Sequence, residues 1–191
     1  MKRIVILVLL CVCVGTFAEE NVAPAAGSFG LSARIAVLND FLLGEQYDLF
    51  RNPGVGVGLR YHVLDRLMLE LILSGGYMIG NNPLSPEGNY VSLGGGLGGY
   101  YWIPSTSNLS KYIGLQQLIY VYAEEQTEAI TIQVQSSLQF GMQYNFNSNF
   151  AVFGNFGVGV GFFGYSDASG DHDSRTFFQI MPATVGIVFY F

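Results

Sequence analysis

Ile130-Thr131-Ile132-Gln133-Val134-Gln135-Ser136-Ser137-Leu138-Gln139-Phe140-Gly141-Met142-Gln143-Tyr144 alternates along its whole length. Ile130, Ile132, Val134, Leu138, Phe140, Met142 and Tyr144 share one parity, while Thr131, Gln133, Gln135, Ser137, Gln139 and Gln143 share the other. A period of two puts these sets on opposite faces of an extended strand. The same period recurs on both sides of this stretch. Toward the N-terminus it places Phe29, Leu31, Ala33, Ile35 and Val37 on one face, then Val55 to Val63, Leu67 to Leu73, Val91 to Tyr101, and Ile113 to Val121. Toward the C-terminus it sets Phe150, Val152, Phe156, Val158, Val160 and Phe162 against Ala151, Asn155 and three glycines. A last segment sets Phe177, Met181, Ala183, Val185, Ile187, Phe189 and Phe191 against Pro182, Thr184, Gly186 and Tyr190. Eight strands are predicted.

Composition says what surrounds them. The 191 residues are 50% hydrophobic and only 12% charged, against about 25% charged in an ordinary soluble domain. Aromatics at 15% and 25 glycines are not the makeup of a solvated, disordered tail. Eight basic residues against 14 acidic ones, net −6, argue against a nucleic-acid partner.

Residues 1–18 have the layout of a cleaved secretory signal peptide. Lys2 and Arg3 precede the apolar run Ile4 to Val14, and Gly15-Thr16-Phe17-Ala18 closes it ahead of Glu19-Glu20. The run is too short for a membrane-spanning helix of about 20 residues. Cys11 and Cys13 lie inside it, each behind a large residue (Leu10, Val12), which disfavours lipid attachment. Residues 19–191 are read as a single domain without cysteine, and hence without disulfides. No second apolar run of helix-spanning length follows. A chain this apolar that enters a membrane without such helices must close into a barrel, because lipid satisfies no free backbone N–H or C=O.

A soluble β-barrel or sandwich would show the same alternation. Its outward stripe would carry many charges. Here the eight segments hold three, Arg34, Arg60 and Glu70, all on the stripe of Gly, Gln, Ser and Tyr. Such a stripe covers a wet surface poorly and suits the inside of a narrow barrel, which leaves the apolar stripe to face lipid. Tyr61, Tyr101, Tyr144, Phe150, Phe177 and Phe191 then form candidate aromatic girdles. The expected fold is all-β, an eight-stranded antiparallel up-and-down transmembrane barrel. Connections after the first, third and seventh strands read as long (39–53, 78–89 and 164–176), and those at Asp65-Arg66 and Asn145 to Asn149 as short. The fifth (Glu124 to Glu128) is short for an outside loop and the fourth (Ile103 to Lys111) long for a turn.

The C-terminus carries a resemblance. Thr184-Val185-Gly186-Ile187-Val188-Phe189-Tyr190-Phe191 reads polar-x-Gly-x-x-aromatic-x-aromatic. It resembles the signal by which the outer-membrane assembly machinery recognises barrels, with Thr184, Gly186, Phe189 and Phe191 at its marked positions. The alternating-glycine segments Gly54 to Gly58 and Gly157 to Gly161 are similar to small bacterial barrels of the OmpA-domain, OmpX and OmpW group. The resemblance implies a bacterial outer membrane, periplasmic transit, outer-membrane lipid around the barrel and machinery-assisted insertion. With an even strand number both termini are then expected on the periplasmic side.

Inside an eight-stranded barrel there is room for side chains and little else. The turn at Leu64-Asp65-Arg66 places Arg60 opposite Glu70, and Arg34 lies close in height, so an interior charge cluster is expected. His62, Gln133, Gln135, Gln139, Gln143 and Asn155 extend it as a polar row. Large inward residues (Tyr90, Tyr100, Tyr112, Tyr120, Tyr122, Phe153, Phe178) can fill the space above glycine rows. The cluster reads as a structural plug or as an ion-selecting constriction.

Enzymatic readings lack a constellation: there are two histidines, His62 and His172, and no Ser-His-carboxylate set. Asp167, Asp171 and Asp173 beside His172 are a weak metal candidate whose spacing matches no EF-hand. No cofactor is implied. The connections on the side away from the termini hold Asp40, Glu45, Asp48, Glu87, Glu124, Glu125, Glu128, Asp167, Asp171 and Asp173 against Arg51 and Arg175. That acidic rim would attract cations or a basic extracellular ligand. The leading expectation is a structural or surface-interaction protein with a plugged or very narrow lumen. Its rival is an OmpW-like narrow channel for small or partly apolar solutes.

Overall fold

A computed structural model describes residues 24–37, 55–78, 90–103, 105, 108–124, 130–166 and 172–191. Every regular element among them is a strand: β1 (Phe29–Val37), β2 (Val55–Leu64), β3 (Leu67–Met78), β4 (Tyr90–Ile103), β5 (Leu109–Glu124), β6 (Ile130–Asn145), β7 (Phe150–Ser166) and β8 (His172–Tyr190). Each pairs antiparallel with its neighbour in sequence, and β1 pairs with β8, so the sheet closes without an edge. Closure gives every strand two partners, the condition lipid imposes on a sheet.

The lower end of the barrel holds the tight connections. Asp65-Arg66 joins β2 to β3, and His62↔Met68 followed by Leu64↔Leu67 marks a one-residue irregularity just before the turn. Between β6 and β7, Asn147 Oδ1 accepts from the backbone N–H of Asn149 (2.9 Å) and Phe150 (2.8 Å), replacing ladder bonds the turn cannot make. The chain enters β1 through Gly27, whose φ of 86° suits a residue without Cβ. Its N–H donates to His62 O across the barrel end. The strands that flank residues 38–54, 79–89, 125–129 and 167–171 all reach the upper end.

The apolar stripe faces out. Leu31, Leu59, Leu71, Leu93, Leu97, Leu115, Ile132, Val160 and Phe189 are all exposed. A chain of ring contacts runs around the lower rim: Tyr61–Phe29 (4.6 Å between centroids) and Phe29–Phe191 (6.5 Å) on one side. On the other it runs Tyr144–Phe146 (5.0 Å), Phe146–Phe150 (5.4 Å) and Phe150–Phe189 (5.0 Å). This is the girdle position, where an amphipathic ring bridges hydrocarbon and head groups.

Two sequence expectations need correcting. The alternation of β8 does not run unbroken to its start. Asn155 pairs with Thr184 but Gly157 with Met181, so β8 has one extra residue opposite Phe156. The bulge contains Pro182, which has no N–H to give the ladder. It flips the parity above it: Met181 is 3% exposed, whereas Phe178 is 73% exposed and Ile180 is exposed as well. Phe178, read as a lumen filler, faces outward, and Met181, read as outward, lines the interior. The second correction concerns loop length. β7 runs to Ser166 and β8 starts at His172, so the seventh connection shrinks to 167–171, and the fourth to 104–108. Backbone pairing continues through polar residues, which apolar patterning cannot detect. The side chains of Tyr90 and Phe177 lie outside the described ones.

Candidate functional site

The closed sheet encloses an interior, and glycine decides what fits in it. A Cβ at Gly58 would lie 2.6 Å from Ser32 Oγ and 2.8 Å from Glu70 Oε1, so the ion cluster occupies the room that glycine leaves. A Cβ at Gly98 or Gly114 would collide with the Tyr100 side chain, at Gly141 with Tyr112, at Gly94 with Tyr120, at Gly30 with Tyr190, and at Gly186 with Phe153. Tyr100, Tyr112, Tyr120, Tyr190 and Phe153 therefore each lie over a glycine on a neighbouring strand, and Tyr100 also over Gly98 of its own.

At the centre, Arg60 and Glu70 are direct cross-strand partners, with Arg60 Nε 2.7 Å from Glu70 Oε1. Arg34 binds the same oxygen, and Ser32 Oγ donates to it at 3.0 Å. Both members of the Arg60–Glu70 pair are 1% exposed. Arg60 also donates from Nη1 to Gln143 Oε1 (3.0 Å) and lies 3.9 Å above the Phe153 ring. Two guanidinium groups and one carboxylate leave the cluster with one excess positive charge. Burying ions is costly unless they are paired and hydrogen-bonded, and here one carboxylate oxygen gathers three donors.

Below this cluster the lumen is packed. Tyr100 meets Tyr112 edge-on at 5.5 Å, Trp102 lies 5.4 Å from Tyr112, and Met68 joins them in one buried group. His62 is buried between Trp102 (5.5 Å) and Tyr190 (5.6 Å), with neither ring nitrogen hydrogen-bonded among the described residues. Gln143 Nε2 donates to Asn145 Oδ1 (2.7 Å), and its amide also bonds Tyr190 Oη (3.2 Å). Above the cluster the amides form a looser relay. Gln139 Nε2 donates to Ser137 Oγ (2.8 Å) and Gln116 Oε1 (3.2 Å), and Gln116 Nε2 donates to Tyr100 Oη (3.2 Å). Higher still, Tyr122 Oη donates to Gln133 Oε1 (2.9 Å). The Gln135 amide and Asn155 Oδ1 are buried without partners among the described residues. A cavity of about 40 Å³ is bounded here by Arg34, Gln116, Gln139, Asn155, Met181 and Thr184, space for a very few waters.

The fold thus brings Arg34, Arg60 and Glu70 into one cluster, and Gln133, Gln135, Gln139, Gln143 and Asn155 onto the inner wall at different heights. It separates His62 from them as part of the aromatic floor. Of the C-terminal residues, Thr184 borders the cavity and Gly186 underlies Phe153, while Phe189 and Phe191 face outward. Residues 167–171, and with them Asp167 and Asp171, lie outside the described residues, as does the Asp173 side chain. No group of three or more His, Cys, Asp or Glu gathers among the described residues. The other residues of the acidic rim are likewise undescribed or lack a described side chain. Alternation in β3 sets Met68 and Ile72 on the inward stripe, but sequence reading missed the rest of the apolar share of the lumen: Trp102, Leu118 and Val188 are buried inward as well. Continuing the parity of β4 two residues past Tyr100 points to Trp102; apolar residues such as Leu118 at inward positions carry no signal of their own.

Closure, parity and the rimmed apolar exterior define the class: the chain has the fold of a small bacterial outer-membrane β-barrel. Among solved structures it is similar to the outer membrane protein OprG from Pseudomonas aeruginosa, with a TM-score of 0.55 and 12% identity over 90% of this chain and 99% of that one. A major outer membrane protein from Thermus thermophilus gives a TM-score of 0.41 and 12% identity over 87% of this chain and 100% of that one. No family model and no curated protein matches the chain. At this identity the likeness to OprG is one of fold.

Proposed function

We propose that this chain is an integral outer-membrane protein whose barrel is a closed scaffold, and whose contacts with the outside are made by its upper connections. The observation that carries the reading is the filled lower half of the lumen, where Tyr100, Trp102, Tyr112, Tyr190, His62 and Phe153 lie beneath the Arg34–Glu70–Arg60 cluster. Export proceeds through removal of residues 1–18 and recognition of Thr184, Gly186, Phe189 and Phe191 by the barrel assembly machinery. Both ends of the mature chain then lie in the periplasm, and the upper rim faces outward. Its acidic residues favour cations or a basic ligand over bare anionic head groups. No catalytic role is assigned.

Refolded protein in planar bilayers is expected to give no steady single-channel steps. Reproducible open steps would overturn the closed-scaffold reading. They would favour its rival, an OmpW-like conduit for small or partly apolar solutes, for which the polar cavity beneath the upper rim is the supporting feature.

A further inference from the structure

The lipid face carries one polar pair in its middle. On β5 the outward side chains run Lys111, Ile113, Leu115, Gln117, Ile119, Val121, Ala123, and Gln117 is the fourth of the seven. On β6 they run Ile130, Ile132, Val134, Ser136, Leu138, Phe140, Met142, Tyr144. Gln117 and Ser136 are direct cross-strand partners, both exposed, and Ser136 Oγ donates to Gln117 Oε1 at 2.5 Å. That bond leaves the two N–H donors of the Gln117 amide without a partner among the described residues. In the middle of a hydrocarbon layer such donors find no water, and lipid tails accept no hydrogen bond.

The surface beside the pair is shallow. Gly95 and Gly99 face outward on β4, flanking Leu97, which pairs directly with Gln117. Small residues let a second surface approach closely, and side-chain amides hold membrane-embedded segments together by hydrogen bonds.

We infer that the β4–β6 wall is a dimer interface on which a second copy of this chain seats, with Gln117 meeting Gln117 across a two-fold axis. A carboxamide presents a donor and an acceptor side by side, so two of them related by a two-fold exchange two N–H···O bonds, one N–H from each, as an isologous contact requires, while the second lone pair of each oxygen keeps its Ser136 donor. A partner of unlike chemistry would need a matching polar group at the same depth; a second copy brings it automatically. The inference rests on the membrane reading above.

The test is cysteine cross-linking in membranes, using the full chain with Cys11→Ser and Cys13→Ser. Gln117→Cys, and separately Leu97→Cys and Leu115→Cys, which leave the amide intact, are oxidised with copper–phenanthroline. All three should give a reducible band at twice the monomer mass. Leu31→Cys, on the opposite wall four strands away, should stay monomeric. In detergent, sedimentation of Gln117→Leu should show dimerisation weakened about tenfold, with the heat-dependent gel mobility of a folded barrel retained. Cross-linking of Leu97→Cys and Leu115→Cys no stronger than that of Leu31→Cys, or a product containing another polypeptide, overturns the proposal, as does unchanged dimerisation of folded Gln117→Leu. A barrel that needs detergent yet stays monomeric sinks only the dimer, whereas a chain that remains dispersed without detergent sinks the membrane reading itself.

Discussion

Glu70 is the residue on which the interior balances. Its Oε1 neutralises Arg60, binds Arg34 and accepts from Ser32, while Oε2 has no partner among the described residues. Glu70→Gln keeps the shape and removes the charge, leaving two guanidinium groups in the lumen without a counter-ion. Breaking a buried ion pair in this way costs about 3–5 kcal/mol, so the urea midpoint of the detergent-folded barrel, followed by gel mobility, should fall sharply. Arg34→Leu should cost far less, since it leaves the Arg60–Glu70 pair neutral and intact. Equal losses from the two substitutions would mean that the cluster is not organised around the carboxylate. The facing of Arg60 and Glu70 could be read from the sequence because they are ten residues apart around a tight turn. The height of Arg34 on β1 likewise places it with them. The convergence of Gln143 on Arg60 could not be read: it requires β2 and β6 to meet inside one tube.

Among the elements, β8 shows where pattern reading fails. A single parity carried from Phe191 back to Phe177 misplaces Phe178 and Met181, above the bulge opposite Phe156. The sequence holds a hint in Pro182, since a residue without an N–H sits poorly in a central ladder. Proline alone does not say whether a strand bulges or ends. With cysteine at position 178 or 181, a lipid-soluble maleimide should label Phe178→Cys readily in vesicles and Met181→Cys slowly. The reverse order would restore the unbroken alternation. The other strands were legible because each keeps one period throughout, and because their outer residues meet a uniform solvent that rewards the same chemistry at every second position.

For the molecule as a whole, the filling of the lumen is a matter of volume. Eight strands make a tube that side chains can fill, and among the described residues the lower half is filled with rings, several of them over glycines, with a cavity of about 40 Å³ above. If the aromatic floor is the seal, replacing Tyr100 and Tyr112 together with alanine should produce conductance steps in bilayers where the parent gives none. A silent double variant that still folds would place the seal at the ion cluster instead.

The sequence by itself determined the all-strand fold, the strand number and the sign of each face, because period, charge scarcity and even spacing are local properties that burial in lipid selects one residue at a time. The parity of upper β8, the reach of β7 and β8 beyond the apolar band, and which ring lies over which glycine were decided only when the sheet closed on itself. Those outcomes depend on register between strands and on the fixed volume of an eight-stranded tube, quantities that belong to pairs and rings of strands and to no segment alone.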